Sequence, residues 1–331
     1  MNALTWEQVE THSATLNRAY WRVLTTYWIP GEADAGYVVD HLLEVGRAID
    51  AVSWLGHHIK RKPDSQLLIR VLRAAAAGPA LERDATMFSH YVGLMLDYLG
   101  SDASVSEQDI VGLEWTYFQV LCYSPRSVKS LHRALARDPE FFVHLIKLIY
   151  LPEEDSGIVE PEPADIDKAE DLAGQAYDVI HHWAYVPGAD DEGQIDGNSL
   201  ELWVKHARKL LSDAGRTNIG ESKIGEILAA AQRKPDQLWP PEPVRELIEL
   251  VRSRAMERGF EIGVYNRRGV TVRMPHDGGE QERALAQRYR RDAGELRFDW
   301  PRTAACLERI AETYERDANR EDISTEQRDW L

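Results

Sequence analysis

Gly259-Phe260-Glu261-Ile262-Gly263-Val264-Tyr265-Asn266-Arg267-Arg268-Gly269-Val270-Thr271-Val272-Arg273-Met274 alternates apolar with polar or small residues on both sides of a turn-forming centre. Period two predicts strands over 260–264 and 270–274, joined through Asn266-Arg267-Arg268-Gly269. The register follows from where the apolar side chains must go. A two-residue turn pairing Tyr265 with Val270 would set Ile262 and Val264 on the face opposite Val272 and Met274. A three-residue loop with a glycine bulge pairs Asn266 with Val270 and Val264 with Val272, which gathers all of them on one face. Gly269 then takes a positive φ. A lone hairpin is marginal in water, so the apolar face is expected to lie on helices. Arg267 and Arg268 would occupy the tip, and Arg273 would share the open face with Tyr265. Guanidiniums so placed form a clamp for phosphate or carboxylate, with Tyr265 as an aromatic anchor. The competing description is a solvated turn.

The chemistry around this stretch differs from the rest of the chain. Residues 245–302 hold thirteen Arg, no Lys and ten Asp or Glu, a balance of +3 inside a chain of net charge -16. So acidic a surface repels phosphates overall, which argues against non-specific nucleic-acid binding and leaves only a local basic site. Arg283, Arg290 and Arg297 recur every seven residues. That stripe either tracks phosphates or is one face of a charge-laced helix, with Arg288 able to meet Asp292 and Arg291 able to meet Glu295.

Elsewhere the dominant period is helical. Leu16, Tyr20, Leu24 and Tyr27 fall at three- and four-residue spacing, and similar stripes run through most of the 331 residues. Gly46 divides residues 38–55 into two short helices. Asp138-Pro139-Glu140 reads as a cap followed by proline at the first helical position. Asn218 and Glu221 have capping-box spacing. Residues 151–167 mix Pro152, Pro161 and Pro163 with seven acidic residues and are expected to form an extended linker. The expected organisation is a helical array over 1–150, this acidic Pro-rich linker, and a helical domain over 168–331 that carries the hairpin at 260–274. Two turn segments echo one another, from Trp28 to Gly36 and from Tyr185 to Gly193; common turn chemistry accounts for them as well as duplication does.

Motifs that approach chemistry stop short of it. Gly215-Arg216-Thr217-Asn218-Ile219-Gly220-Glu221-Ser222 has P-loop glycine spacing, but Glu221 stands where the phosphate-binding Lys belongs. Asp190, Glu192 and Asp196 fall at calcium-loop positions around Gly193, yet Gly188 and Ser199 occupy two positions that need oxygen-rich ligands. The pairs His57-His58 and His181-His182 point about 100° apart on a helix and cannot share a metal. Cys122 and Cys306 have no companions at metal-ligand spacing and suit a reducing compartment. No catalytic group, metal or cofactor is assigned. No apolar run is long enough for a bilayer and the first residues lack a signal-peptide pattern, so a cytoplasmic location without membrane insertion is expected.

Leu113-Glu114-Trp115, Leu131-His132-Arg133, Asp138-Pro139-Glu140-Phe141-Phe142, the stretch from Gly215 to Glu226, Tyr265-Asn266-Arg267-Arg268-Gly269-Val270, Gly278-Gly279-Glu280-Gln281-Glu282-Arg283 and Trp300-Pro301 carry a resemblance. Together they resemble the helical C-terminal regions of large bacterial proteins whose N-terminal parts are often signalling NTPases or defence effectors. The resemblance spans nearly the whole chain and implies a sensor or scaffold segment in bacterial defence or signalling.

The sequence therefore predicts a mainly α protein, a solenoid-like array of helical hairpins with one small β-hairpin near the C-terminus. The expected function is non-catalytic macromolecular recognition of a protein partner, through Tyr265, Arg267, Arg268, Arg273, Arg283 and Arg290. A nucleic-acid module built on residues 245–302 and a hydrolase whose carboxylates converge only in the fold are the alternatives. The oligomeric state is not set by the sequence.

Overall fold

The stretch read as the first strand is a helix. In a computed structural model, which describes residues 13–78, 85–122, 126, 128–235, 237–269 and 278–328, Arg254–Asn266 is α-helical from a Ser253 cap whose Oγ accepts from the Met256 amide at 3.2 Å. No named strand occurs among the described residues; the one antiparallel bridge joins Ala189 and Ile195. Residues 270–277, which include the expected second strand at 270–274 and with it Arg273, lie outside the described residues. The reason for the error is arithmetic. Phe260 and Val264 stand four apart, which satisfies period two and period 3.6 equally. Both are buried, whereas Ile262 between them is 38% exposed and so falls off the shared face.

The protein is mainly helical. In chain order the helices are α1 (Ala14–Val23), α2 (Ala35–Glu44), α3 (Ala48–His57), α4 (Ser65–Ala76), α5 (Ala85–Ser101), α6 (Glu107–Thr116), α7 (Phe118–Leu121) and α8 (Lys129–Arg137). They continue with α9 (Pro139–Ile149), α10 (Ile166–His182), α11 (Gly197–Asp213), α12 (Thr217–Leu228), α13 (Glu242–Val251), α14 (Arg254–Asn266), α15 (Glu280–Leu296) and α16 (Pro301–Arg328). Packing divides the chain into two compact units, Met1–Leu131 and His132–Leu331, so the acidic stretch at 151–167 lies inside the second unit.

In the first unit α3 packs against α2, α4 and α5 and buries Ala51, Val52, Trp54 and Leu55. Side-chain oxygens of Ser13, Asp34, Asp64 and Ser106 cap α1, α2, α4 and α6, satisfying amides that have no partner within their own helices. Gly46 takes a φ of 76° between α2 and α3. On α1 the core residue is Trp21; Leu16 and, beyond the helix, Tyr27 face solvent, so the buried stripe is rotated from the one spacing suggested.

In the second unit Asp138 caps α9 and Pro139 takes its first turn. The acidic stretch is largely exposed and irregular, but it is fastened to the junction between α11 and α12. Glu153 donates its amide to the Gly215 carbonyl at 2.7 Å and accepts from the Asn218 amide at 2.6 Å. A carboxylate thus sits at the positive end of α12. Glu153, rather than the expected Asn218–Glu221 box, supplies that end. Beneath it Arg216 is fully buried, donating to the carbonyls of Tyr150 and Ala214 and to Glu160 at 2.6–2.7 Å.

The helices α12 and α14 cross with backbone against backbone. A Cβ at Gly225 would overlap the Met256 carbonyl, and one at Gly259 would overlap the Ser222 carbonyl. Only glycine permits that approach. Next to this crossing α15 and α16 pair along their length, burying Ala286, Tyr289, Ala293 and Leu296 against Leu307, Ile310, Ala311 and Tyr314.

Candidate functional site

Of the six residues predicted to form a contact surface, Arg273 lies outside the described residues, and the other five fall in different settings. Tyr265 bridges helices, its hydroxyl hydrogen-bonded to Asp317 at 2.8 Å and its ring tilted against Tyr314. Arg283 pairs with Asp322, and Arg290 meets both oxygens of Glu315, so two of the three arginines of the stripe are tied to carboxylates of α16. In place of the pairing expected within α15, Asp292 accepts at 2.6 Å from Arg233, in the segment after α12. Arg267 and Arg268 end α14 instead of capping a hairpin. Arg267 donates from Nη2 to the carbonyls of Trp183 and Glu226, at 3.1 and 3.4 Å. These carbonyls close α10 and the last turn of α12, where helix acceptors have no amide of their own. Although part of its side chain is exposed, the guanidinium loses water among these helix ends, which lowers its pKa. Arg268 pairs with the fully buried Glu282 and lies 5.5 Å from the Tyr314 ring centroid. Gly269, just beyond, has a φ of 72°; the positive value follows from a helix end, not from a hairpin bulge.

Two of the six nevertheless meet in a cavity of about 370 Å³ within the second unit. Arg233 reaches it from the segment after α12, Arg267 and Arg268 from the end of α14, and Arg288 from α15. Trp239, Tyr289 and Tyr314 supply the aromatic walls. Trp239 is fixed by its indole N–H to the Ala231 carbonyl at 2.9 Å and stacks on Phe260. Tyr289 and Tyr314 lie parallel, within 2°, at 5.8 Å. Burial, with Tyr289 adding to it, pushes the Tyr314 hydroxyl up to about 12, so it stays a neutral donor at physiological pH. Arg233 sits over Trp239 and Tyr289, and Arg288 over Tyr289, at 5.1–5.7 Å from the ring centroids. The cavity is thus lined by four guanidiniums and, among the described residues, by no carboxylate.

A second cavity, of about 460 Å³, shares Ala229 and Arg267 with the first. His181, His182, Lys223, Glu226 and Asn266 line it. Burial works against the Lys223 ammonium, but the Glu226 carboxylate at 2.9 Å outweighs that and raises its pKa, leaving a self-neutralised pair.

The motifs set aside in the sequence have structural work. Glu221, at the P-loop lysine position, is buried and accepts from Arg208 at 2.6 Å and from the Ser253 hydroxyl. Asp190 accepts from the amides of Glu192 and Gln194, and Asp196 caps α11. Burial pushes the Cys306 thiol up to about 12 and the buried His132 imidazole down to about 4. The first is protonated and the second neutral at pH 7, so neither is poised as a nucleophile or a proton donor. No helix among the described residues is long and apolar enough to cross a membrane. Sequence reasoning missed Arg233, Trp239 and Tyr314; only Arg288 and Tyr289 are neighbours on one helix, and no local pattern ties them to the others.

No family model, curated protein or solved structure matches the chain.

Proposed function

We propose that the protein is a recognition module that engages a protein partner, and that the arginine-lined cavity of its second unit receives an acidic group of that partner. The observation that carries this reading is the lining itself, four guanidiniums without a carboxylate among the described residues. Guanidiniums gathered around one concavity raise a positive potential there that an anion relieves. They are also the groups that recur at the energetic centres of protein interfaces. A protein partner suits the net charge of -16 better than a nucleic acid does. Two of the three arginines of the stripe, the natural track for phosphates, are tied up by Asp322 and Glu315. The resemblance to sensor and scaffold segments of bacterial signalling and defence proteins points the same way.

The test is fluorescence anisotropy with peptides rich in Asp and Glu, against neutral peptides of equal length. Acidic peptides should bind, weaken with added salt, and lose binding in Arg288→Glu. Failure of every acidic peptide, with tight binding of a single-stranded oligonucleotide, would move the site to the nucleic-acid reading.

A further inference from the structure

We infer that the group received in the cavity is a phosphomonoester on a side chain of the partner, a dianion, in preference to a carboxylate. This rests on reading the cavity as the partner-contact site. Charge matching carries it. Of the four lining guanidiniums, Arg233 is met by Asp292 and Arg268 by Glu282. Arg267 and Arg288 have no ion pair with a carboxylate among the described residues. Glu226, the acid nearest Arg267, is already matched by Lys223. Among the described residues two positive charges are therefore left over. A phosphomonoester carries about -1.5 to -2 at pH 7, whereas one carboxylate supplies half of that.

Donor geometry agrees. A guanidinium has five N–H donors, and Arg267 uses Nη2 on the two helix-end carbonyls. Its Nε and Nη1 have no hydrogen bond among the described residues. The buried Nε of Arg268 has none either. Phosphate offers three acceptor oxygens, enough to take these donors and Arg288 together. Arg267 is held by two helix ends and Arg268 by Glu282 and Tyr314, so little side-chain entropy is lost when an anion arrives. Arg288 is exposed, anchored over Tyr289, and free to close on the ligand. A cavity of about 370 Å³ admits a phosphorylated side chain with room for its flanking backbone.

The experiment uses the full chain and nine-residue peptide libraries with randomised flanks and a fixed centre of Ser, Glu, phosphoserine or phosphotyrosine. Inorganic phosphate and a nucleoside monophosphate serve as further ligands. A phosphorylated centre should bind about tenfold or more tighter than Glu, as expected when two matched charges replace one. Inorganic phosphate should compete weakly. Arg288→Ala should weaken the phosphopeptide about tenfold and Arg288→Lys less, because a point charge replaces a fork. Arg290→Ala, outside the cavity, should bind as the parent does. Equal binding of Glu and phosphorylated centres would overturn the inference and leave the acidic-partner reading standing. Tighter binding of the nucleoside monophosphate would overturn it in favour of a small ligand. No dependence on Arg288 would overturn it too, and no binding by any acidic or phosphorylated library would remove both readings.

Discussion

The two ends of the arginine-rich segment use the same side chain for different purposes. At the end of α14, Arg268 lies against the fully buried Glu282 and Arg267 spans two helix ends. On α15, Arg283 and Arg290 meet Asp322 and Glu315 in the open, each side chain at least a third exposed. Water screens the second set, so its pairs contribute little to folding. It screens Arg268 and Glu282 far less, and there removal of one partner takes a counterion from a buried charge. Arginine density alone therefore says nothing about binding, because a guanidinium matched by a carboxylate has little charge left to offer a ligand.

The contrast can be broken in graded steps. Arg268→Ala should be the most damaging, costing about 3–5 kcal/mol because the fully buried Glu282 loses a counterion that lies against it. Chemical denaturation of the Arg268→Ala/Glu282→Ala double variant should recover much of that loss; no recovery would mean that packing against Tyr314, not charge, is what Arg268 supplies. Arg267→Ala should cost about 1.5–3 kcal/mol, since two carbonyls lose a charged donor. Hydrogen exchange should loosen at the ends of α10 and α12 together, and loosening at neither would refute the capping role. Gly269→Val should cost about 1–2 kcal/mol through its positive φ, because a Cβ there meets no atom of the described residues within 4 Å. A much larger loss would point to a contact beyond the backbone. Arg290→Ala should leave the urea midpoint where it is, and 1 M salt should affect parent and variant alike. A clear fall in its midpoint would erase the distinction between the two ends.

Much of the helical architecture was legible in the sequence. Three- and four-residue spacing found most helices, and Asp138-Pro139 and Gly46 marked boundaries because caps and left-handed turns depend on residue type. The α14 error arose because Phe260 and Val264 fit two periods. The deciding signal was Gly259 and Gly263, four apart beside them, which suits a close helix crossing and has no purpose in a strand. The acidic composition of 151–167 suggested exposure, but the attachment of Glu153 to α12 is made by side-chain reach and leaves no periodic trace. The cavity was illegible for the same reason. Its walls come from Arg233 and Trp239, Arg267 and Arg268, Arg288 and Tyr289, and Tyr314, segments joined only by packing.

The crossing of α12 and α14 has a genetic consequence. Gly225 and Gly259 each face a carbonyl oxygen inside the envelope of any added carbon. Glycine is the one residue without a Cβ, so every missense change at these codons sets a carbon against that oxygen. At these two codons drift can act only on the third base. Arg288, exposed at the cavity mouth, has no such bar against replacement, and selection for its ligand alone would hold it in place. A survey of natural variants would separate the two constraints: glycine kept at 225 and 259 wherever the fold is kept, and arginine kept at 288 only where the cavity still has its ligand.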